Sequence, residues 1–156
     1  MKRTPIKRKT PLRAKTKIRV AGHSTVAEQK QEIQSLLRHI VISRDKKCIL
    51  YGERCYSSFG VEGIVWQADH LITRASSATF ADSRLVVLIC KSCHAWKSLG
   101  SNARKAQYDA IVRTKLPKDR VALWDKCEKD SWRPMRMSAP DWKLSIIALR
   151  QELKNV

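Results

Sequence analysis

The stretch at residues 67–97, QADHLITRASSATFADSRLVVLICKSCHAWK, decides how this chain is read. It opens on Asp69-His70 and closes on Cys90-Lys91-Ser92-Cys93-His94, so a carboxylate, two imidazoles and two thiols fall within about thirty residues. The run VEGIVWQADH mixes β-branched and aromatic residues and predicts a strand with Asp69 and His70 at its end. TRASSATFADSR reads as a polar loop, LVVLIC as a short buried strand, and CHAWKSLGSN as a knuckle opening into a helix that ends near Gly100. The groups build either one metal knuckle that only shapes the chain, or a knuckle beside a second ion that does chemistry.

Zinc is the first reading of the thiols. Cys48 and Cys55, in KKCILYGERC with a turn at Gly52, and Cys90 with Cys93 give four soft ligands in two pairs. Four thiolates make a closed, tetrahedral, structural site. The second pair is the stronger signal, because two intervening residues between a strand and a helix suit chelation from a tight turn. The first is looser, with six intervening residues. The alternatives are four unpaired core thiols, or a three-cysteine site completed by His70 or His94. Cys127, on an expected helix, reads as a small buried hydrophobe rather than a ligand.

Working outward, Thr25 with Glu28 fits a capping box ahead of apolar residues at helical spacing, which predicts a helix over about 25–43. Helices are expected from Asn102 to Lys115, stopped by Pro117, over about 118–129, and in PDWKLSIIALRQELKN with Pro140 at its start. SWRPMRMSAP reads as a linker. Trp66 and Trp96 read as packing around the knuckle rather than base-stacking platforms. The expected class is α+β, with a small zinc-stapled core over about 46–100, flanking helices and a helical part at 101–156. Residues 23–156 form one domain behind a flexible basic arm at 1–22.

Charge sets the partner. The chain of 156 residues carries a formal net charge of +18, which opposes compaction and so points to a polyanion, nucleic acid before an anionic membrane surface. Residues 1–19 hold nine Lys or Arg and no acid, and Pro5 and Pro11 disfavour a helix there. The tail reads either as a solubilising segment or as an arm along phosphates, with Lys7, Arg8 and Lys9 at its centre; the arm is preferred. No long apolar run crosses a bilayer or resembles a secretory signal, so a cytoplasmic location is expected, and five cysteines read as ligands plus a spare.

Asp69, His70 and His94 remain. Both histidines can be hydrogen-bonded core residues, but that leaves the carboxylate beside His70 unexplained. Phosphodiester hydrolysis needs a base to activate water and a divalent cation to neutralise charge growing on the phosphate. His70 can be the base, while Asp69 and His94 hold the ion, because a successive pair at a strand end lets the side chains diverge. Arg74 and Lys97 flank this site as candidate phosphate clamps, with Arg84 and Lys91 as weaker ones.

These residues carry a resemblance. ADH followed by SRLVVLICKSCHAWK resembles the ββα-metal (HNH, or His-Me finger) nuclease motif in its zinc-containing version, widespread among phage proteins. The basic, Pro-punctuated start is more loosely similar to the phage recombination nucleases called NinG or Rap. The likeness spans roughly 46–100 and implies a metal-dependent DNA endonuclease, with His70 activating water, Asp69 and His94 binding Mg2+ or Mn2+, and Cys48, Cys55, Cys90 and Cys93 holding zinc. It further implies a phage protein acting in a bacterial cytoplasm, with branched or recombination DNA as substrate. Leu85 stands where the motif carries an Asn that fixes the base-bearing loop, so a neighbour such as Ser83 or Asp82 substitutes or the base is held less firmly. The alternative function is a non-catalytic zinc-dependent nucleic-acid-binding accessory protein. A dimer is compatible with either, and a basic RNA-binding protein is a further rival.

Overall fold

The computed structural model describes residues 24–52, 55, 65–72, 77–130 and 137–156. The architecture is α+β. Helix α1 (Val26–Asp45) leads to strand β1 (Trp66–His70), a short helix α2 (Ser77–Phe80), a 3-10 turn (Ser83–Leu85) and strand β2 (Val86–Cys90). Helices α3 (Lys91–Ser98), α4 (Asn102–Lys115), α5 (Lys118–Asp130) and α6 (Ala139–Lys154) follow.

The expected capping box starts α1: Glu28 N–H donates to Thr25 Oγ1, and Thr25 N–H donates back to Glu28 Oε2. Lys46 ends the helix in a left-handed conformation with its N–H on Ile42 O. α4 begins one residue earlier in its cap than expected, at Ser101 rather than Asn102, and Leu116 before Pro117 closes it. The expected polar loop at 73–84 contains α2 and the 3-10 turn instead. Phe80 is buried and Asp82 accepts from Arg84 N–H, so one apolar anchor and one cap order what composition marks as loop. Leu85 belongs to that turn and not to β2, which starts at Val86.

β1 and β2 pair antiparallel, with Asp69 opposite Val87 and His70 opposite Val86. Every residue of β2 is buried, so the sheet separates two apolar layers. Val86 and Leu88 pack with Ile33, Leu37 and Ile40 of α1 and Trp142 and Ile146 of α6. Val87 and Ile89 pack with the four cysteines, with Tyr108 and Val112 of α4 and with Trp124 of α5. A two-stranded sheet exposes unpaired backbone at each edge, and β2 covers its outer edge with side chains. Leu88 N–H donates to Asp45 Oδ2 at 3.0 Å, while Val86 O accepts from Arg44 and Arg120 at 2.8 and 2.9 Å. Ile49 N–H takes Leu88 O, tying the chain around Cys48 to the same edge.

Candidate metal and histidine sites

Cys48 is placed by a turn, and Cys90 and Cys93 by the junction of β2 and α3. Gly52 lies in the left-handed region at φ +59° and donates its N–H to Cys48 O, closing a turn that presents the Cys48 thiol; a side chain there would be strained. Cys90 ends β2 and caps α3, and Cys93 sits in the first turn of that helix, so the helix starts before the second pair is complete rather than after it. The ligand atoms of Cys48, Cys55, Cys90 and Cys93 all lie within 4.8 Å of one another, and Cys55 and Cys93 Sγ are 3.6 Å apart. A tetrahedron with Zn–S bonds of about 2.3 Å separates its sulfurs by about 3.8 Å. The four thiols are therefore positioned to hold a metal ion, and the donor set fits zinc.

Their acidities point the same way. Burial and the neighbouring Cys48 push the Cys55 thiol up to about 12. Burial and the adjoining thiols raise Cys93 as well. For Cys48 burial opposes ionisation, but the backbone N–H groups of Cys90, Leu50 and Tyr51 outweigh it and lower the pKa. Thiols this crowded ionise together only around a cation. Cys127 is half-buried outside the cluster, packed against the core. Neither histidine belongs to the sulfur set.

Asp69 and His70 leave opposite faces of β1, as alternation along a strand requires. Asp69 points into the α4 layer and is 5% exposed. Its Oδ2 accepts from Tyr108 OH at 2.5 Å and from Lys97 Nζ at 2.7 Å, with Lys97 lying 4.3 Å from the Tyr108 ring centroid. Burial and the Asp69 carboxylate drive the Tyr108 phenol well above its ordinary range, so it stays a donor. Oδ1 faces His94 Nε2 at 3.6 Å. Two atoms bound to one ion at about 2.1 Å lie no more than about 4.2 Å apart, so this pair can share a hard cation. Among the described residues the cysteines are the one set of three or more ligand-type groups within reach of a common ion; Asp69 and His94 are a pair.

His70 packs on the α1 side, its ring stacked on Phe80 with centroids 5.2 Å apart. Its Nε2 is 3.1 Å from Phe80 O. A carbonyl only accepts, so Nε2 carries the proton and neutral His70 keeps its lone pair on Nδ1. Nδ1 is shielded from bulk solvent. Neither Ser83 nor Asp82 is turned to the part expected of a neighbour of Leu85. Ser83 Oγ instead donates to Glu152, Asp82 holds Arg84, and Leu85 is core. His70 and His94 line one open cavity of about 590 Å3, closed on its other side by α1.

No family model, curated protein or solved structure matches the chain.

The remaining expectations divide by place. Lys97, expected at a phosphate, has its ammonium on Asp69 and only 15% of its side chain exposed. Arg84 is a surface residue whose guanidinium is held, and its pKa raised, by Asp82. Lys91 is exposed in the first turn of α3. Arg74, Lys7, Arg8 and Lys9 lie outside the described residues, as do most of the linker and the basic arm. Trp66 and Trp96 are partly buried against the core, as expected. No helix among the described residues is long and apolar enough to cross a membrane.

Sequence reasoning missed Tyr108. A buried tyrosine hydroxyl needs a partner, but only the fold shows that the partner is Asp69. Removing the hydroxyl in Tyr108→Phe leaves a buried carboxylate with one fewer donor, at a cost of about 1–3 kcal/mol. Urea denaturation measures this; an unchanged unfolding midpoint would mean that Tyr108 does not support Asp69.

Proposed function

We propose that this protein is a metal-dependent DNA endonuclease of the ββα-metal type, with a structural zinc in the cysteine cage. The observation that carries the reading is the Asp69–His94 pair, with His94 sharing a cavity with His70. Asp69 Oδ1 and His94 Nε2 stand 3.6 Å apart, and His94 lines the same cavity as the His70 ring, whose Nε2 donates to Phe80 O. β1, β2 and α3 would form the core of the site, with α3 carrying His94 and Lys97 next to the strand that carries Asp69 and His70.

In this reading Asp69 and His94 hold a Mg2+- or Mn2+-like ion, whose chemistry is to neutralise charge on the phosphate and the leaving oxygen. Tyr108 and Lys97 fix Oδ2 and so leave Oδ1 as the ligand atom. The Lys97 ammonium offsets the Asp69 charge, so Asp69 and His94 by themselves would hold such an ion weakly. His70 Nδ1 takes the proton from the attacking water. Since Nδ1 is shielded from bulk solvent, that water has to enter with the substrate or as its cover shifts. The net charge of +18 supplies attraction to the backbone. Nothing in the described helices marks a base-reading surface, so recognition by backbone and shape, as on branched DNA, suits the chain better than a long sequence-specific site.

One observation favours a second reading. Asp69 is buried and already satisfied by Lys97 and Tyr108, as a purely structural ion pair would be. A zinc-braced nucleic-acid-binding protein without catalysis has the same cage and the same charge. Zinc-loaded protein incubated with supercoiled plasmid and with a four-way junction separates the two. The nuclease reading expects cutting with Mg2+ or Mn2+ and none with EDTA. Binding of both DNAs without cutting at any divalent ion would contradict it and support the second reading.

A further inference from the structure

We infer that α1 forms the phosphate-gripping wall of the histidine cavity, with Arg38, flanked by His39, binding a backbone phosphodiester of DNA laid across it. This rests on the nucleic-acid reading above and names residues that it does not contain.

The argument starts from helix geometry. Ile33, Leu37, Ile40 and Val41 turn one face of α1 into the core. Gln34, Ser35, Arg38 and His39 recur at three- and four-residue spacing on the adjoining face, exposed, and line the cavity opposite His70 and His94. No acidic side chain lines that cavity. A cavity walled by a guanidinium, imidazoles, an amide and a hydroxyl takes an anion.

The other arginines sharpen the point. Arg44 and Arg120 are spent on backbone carbonyls of the β2 edge. Arg84 is on Asp82, Arg113 on Asp125 and Glu128, and Arg150 on Glu32. Arg38 and Arg104 have no such partner among the described residues, and Arg38 is the one of the two that lines the cavity. A planar fork of donors left uncommitted beside two imidazoles matches the two non-bridging oxygens of a phosphodiester. Such a contact reads backbone and not bases, so it fixes the position of the strand without choosing its sequence.

The test uses the full zinc-loaded chain as wild type, Arg38→Ala and Arg38→Lys, with Arg104→Ala as an exposed arginine outside the cavity. Affinity for a labelled duplex and a four-way junction is measured over a salt series without added divalent ion, and cleavage of the same DNAs with Mg2+. Arg38→Ala is expected to weaken binding to both DNAs alike and to lower the slope of log affinity against log salt by about 1. Arg38→Lys should keep the slope and recover part of the affinity, and Arg104→Ala should resemble wild type. Cutting by the wild type with an Arg38→Ala protein of unchanged affinity and slope would overturn this inference alone. Arg38-dependent DNA binding without cutting would overturn the nuclease reading and support the grip. Preference for structured RNA over both DNAs at equal salt would overturn the assignment to DNA.

Discussion

Cys90→Ser protein is expected to lose its zinc and its cooperative unfolding transition together. Cys90 ends β2, caps α3 and faces the other three thiols while almost fully buried. Serine keeps the shape but is a poor zinc ligand, so the cage loses a quarter of its donors at the joint between strand and helix. Structural zinc binding in small domains is worth about 10–16 kcal/mol near neutral pH. Whole domains are stable by about 5–15 kcal/mol, so the loss exceeds what the remaining core can offset. Thermal melting by circular dichroism, with zinc content assayed on the same sample, measures the effect. Cys127→Ser, outside the cage, should melt within a few degrees of wild type. A zinc-free Cys90→Ser protein that stays soluble and unfolds cooperatively would remove the staple from the account.

His70→Ala has the second large effect, on rate and not on fold. A positioned general base contributes about 10²- to 10⁴-fold to a proton-transfer step, and cleavage should fall by that much. The fold should survive, since the change forfeits a stacked ring contact on Phe80 and a hydrogen bond to its carbonyl, about 0.5–1.5 kcal/mol each. DNA affinity should barely move, because the phosphate grip is assigned to Arg38 on α1, across the cavity from His70. Gel-based cleavage and equilibrium binding on one preparation check both halves. Cutting at the wild-type rate by a folded His70→Ala protein would take the base away from His70.

Local chemistry was legible in the residues. Thr25 and Glu28 announce the start of α1, Pro117 announces the break between α4 and α5, and the two cysteine pairs announce a shared ion. Each of these is a short-range rule that the chain obeys wherever it lies. What escaped reading depends on which distant segments meet. Ser77–Phe80 looks like loop because its residues are small and polar, yet Phe80 packs between His70 and Trp142 and orders the turn. Lys97 looks like a surface cation at a phosphate, but α4 brings Tyr108 against it and both close on Asp69. Arg38 looks like any solvated position on an amphipathic helix. Only the placement of α1 across β1 turns it toward the two histidines.

In the proposed reading the sulfur donors and the oxygen-imidazole donors serve two separate ions. Anomalous diffraction from crystals grown with zinc and soaked in Mn2+, together with a nicked or intact DNA, tests it most directly. The account predicts a zinc peak enclosed by Cys48, Cys55, Cys90 and Cys93, and a distinct manganese peak contacted by Asp69 Oδ1 and His94 Nε2 with His70 close by. A zinc ion ligated by either imidazole, or DNA-bound crystals with no manganese between Asp69 and His94, would contradict it.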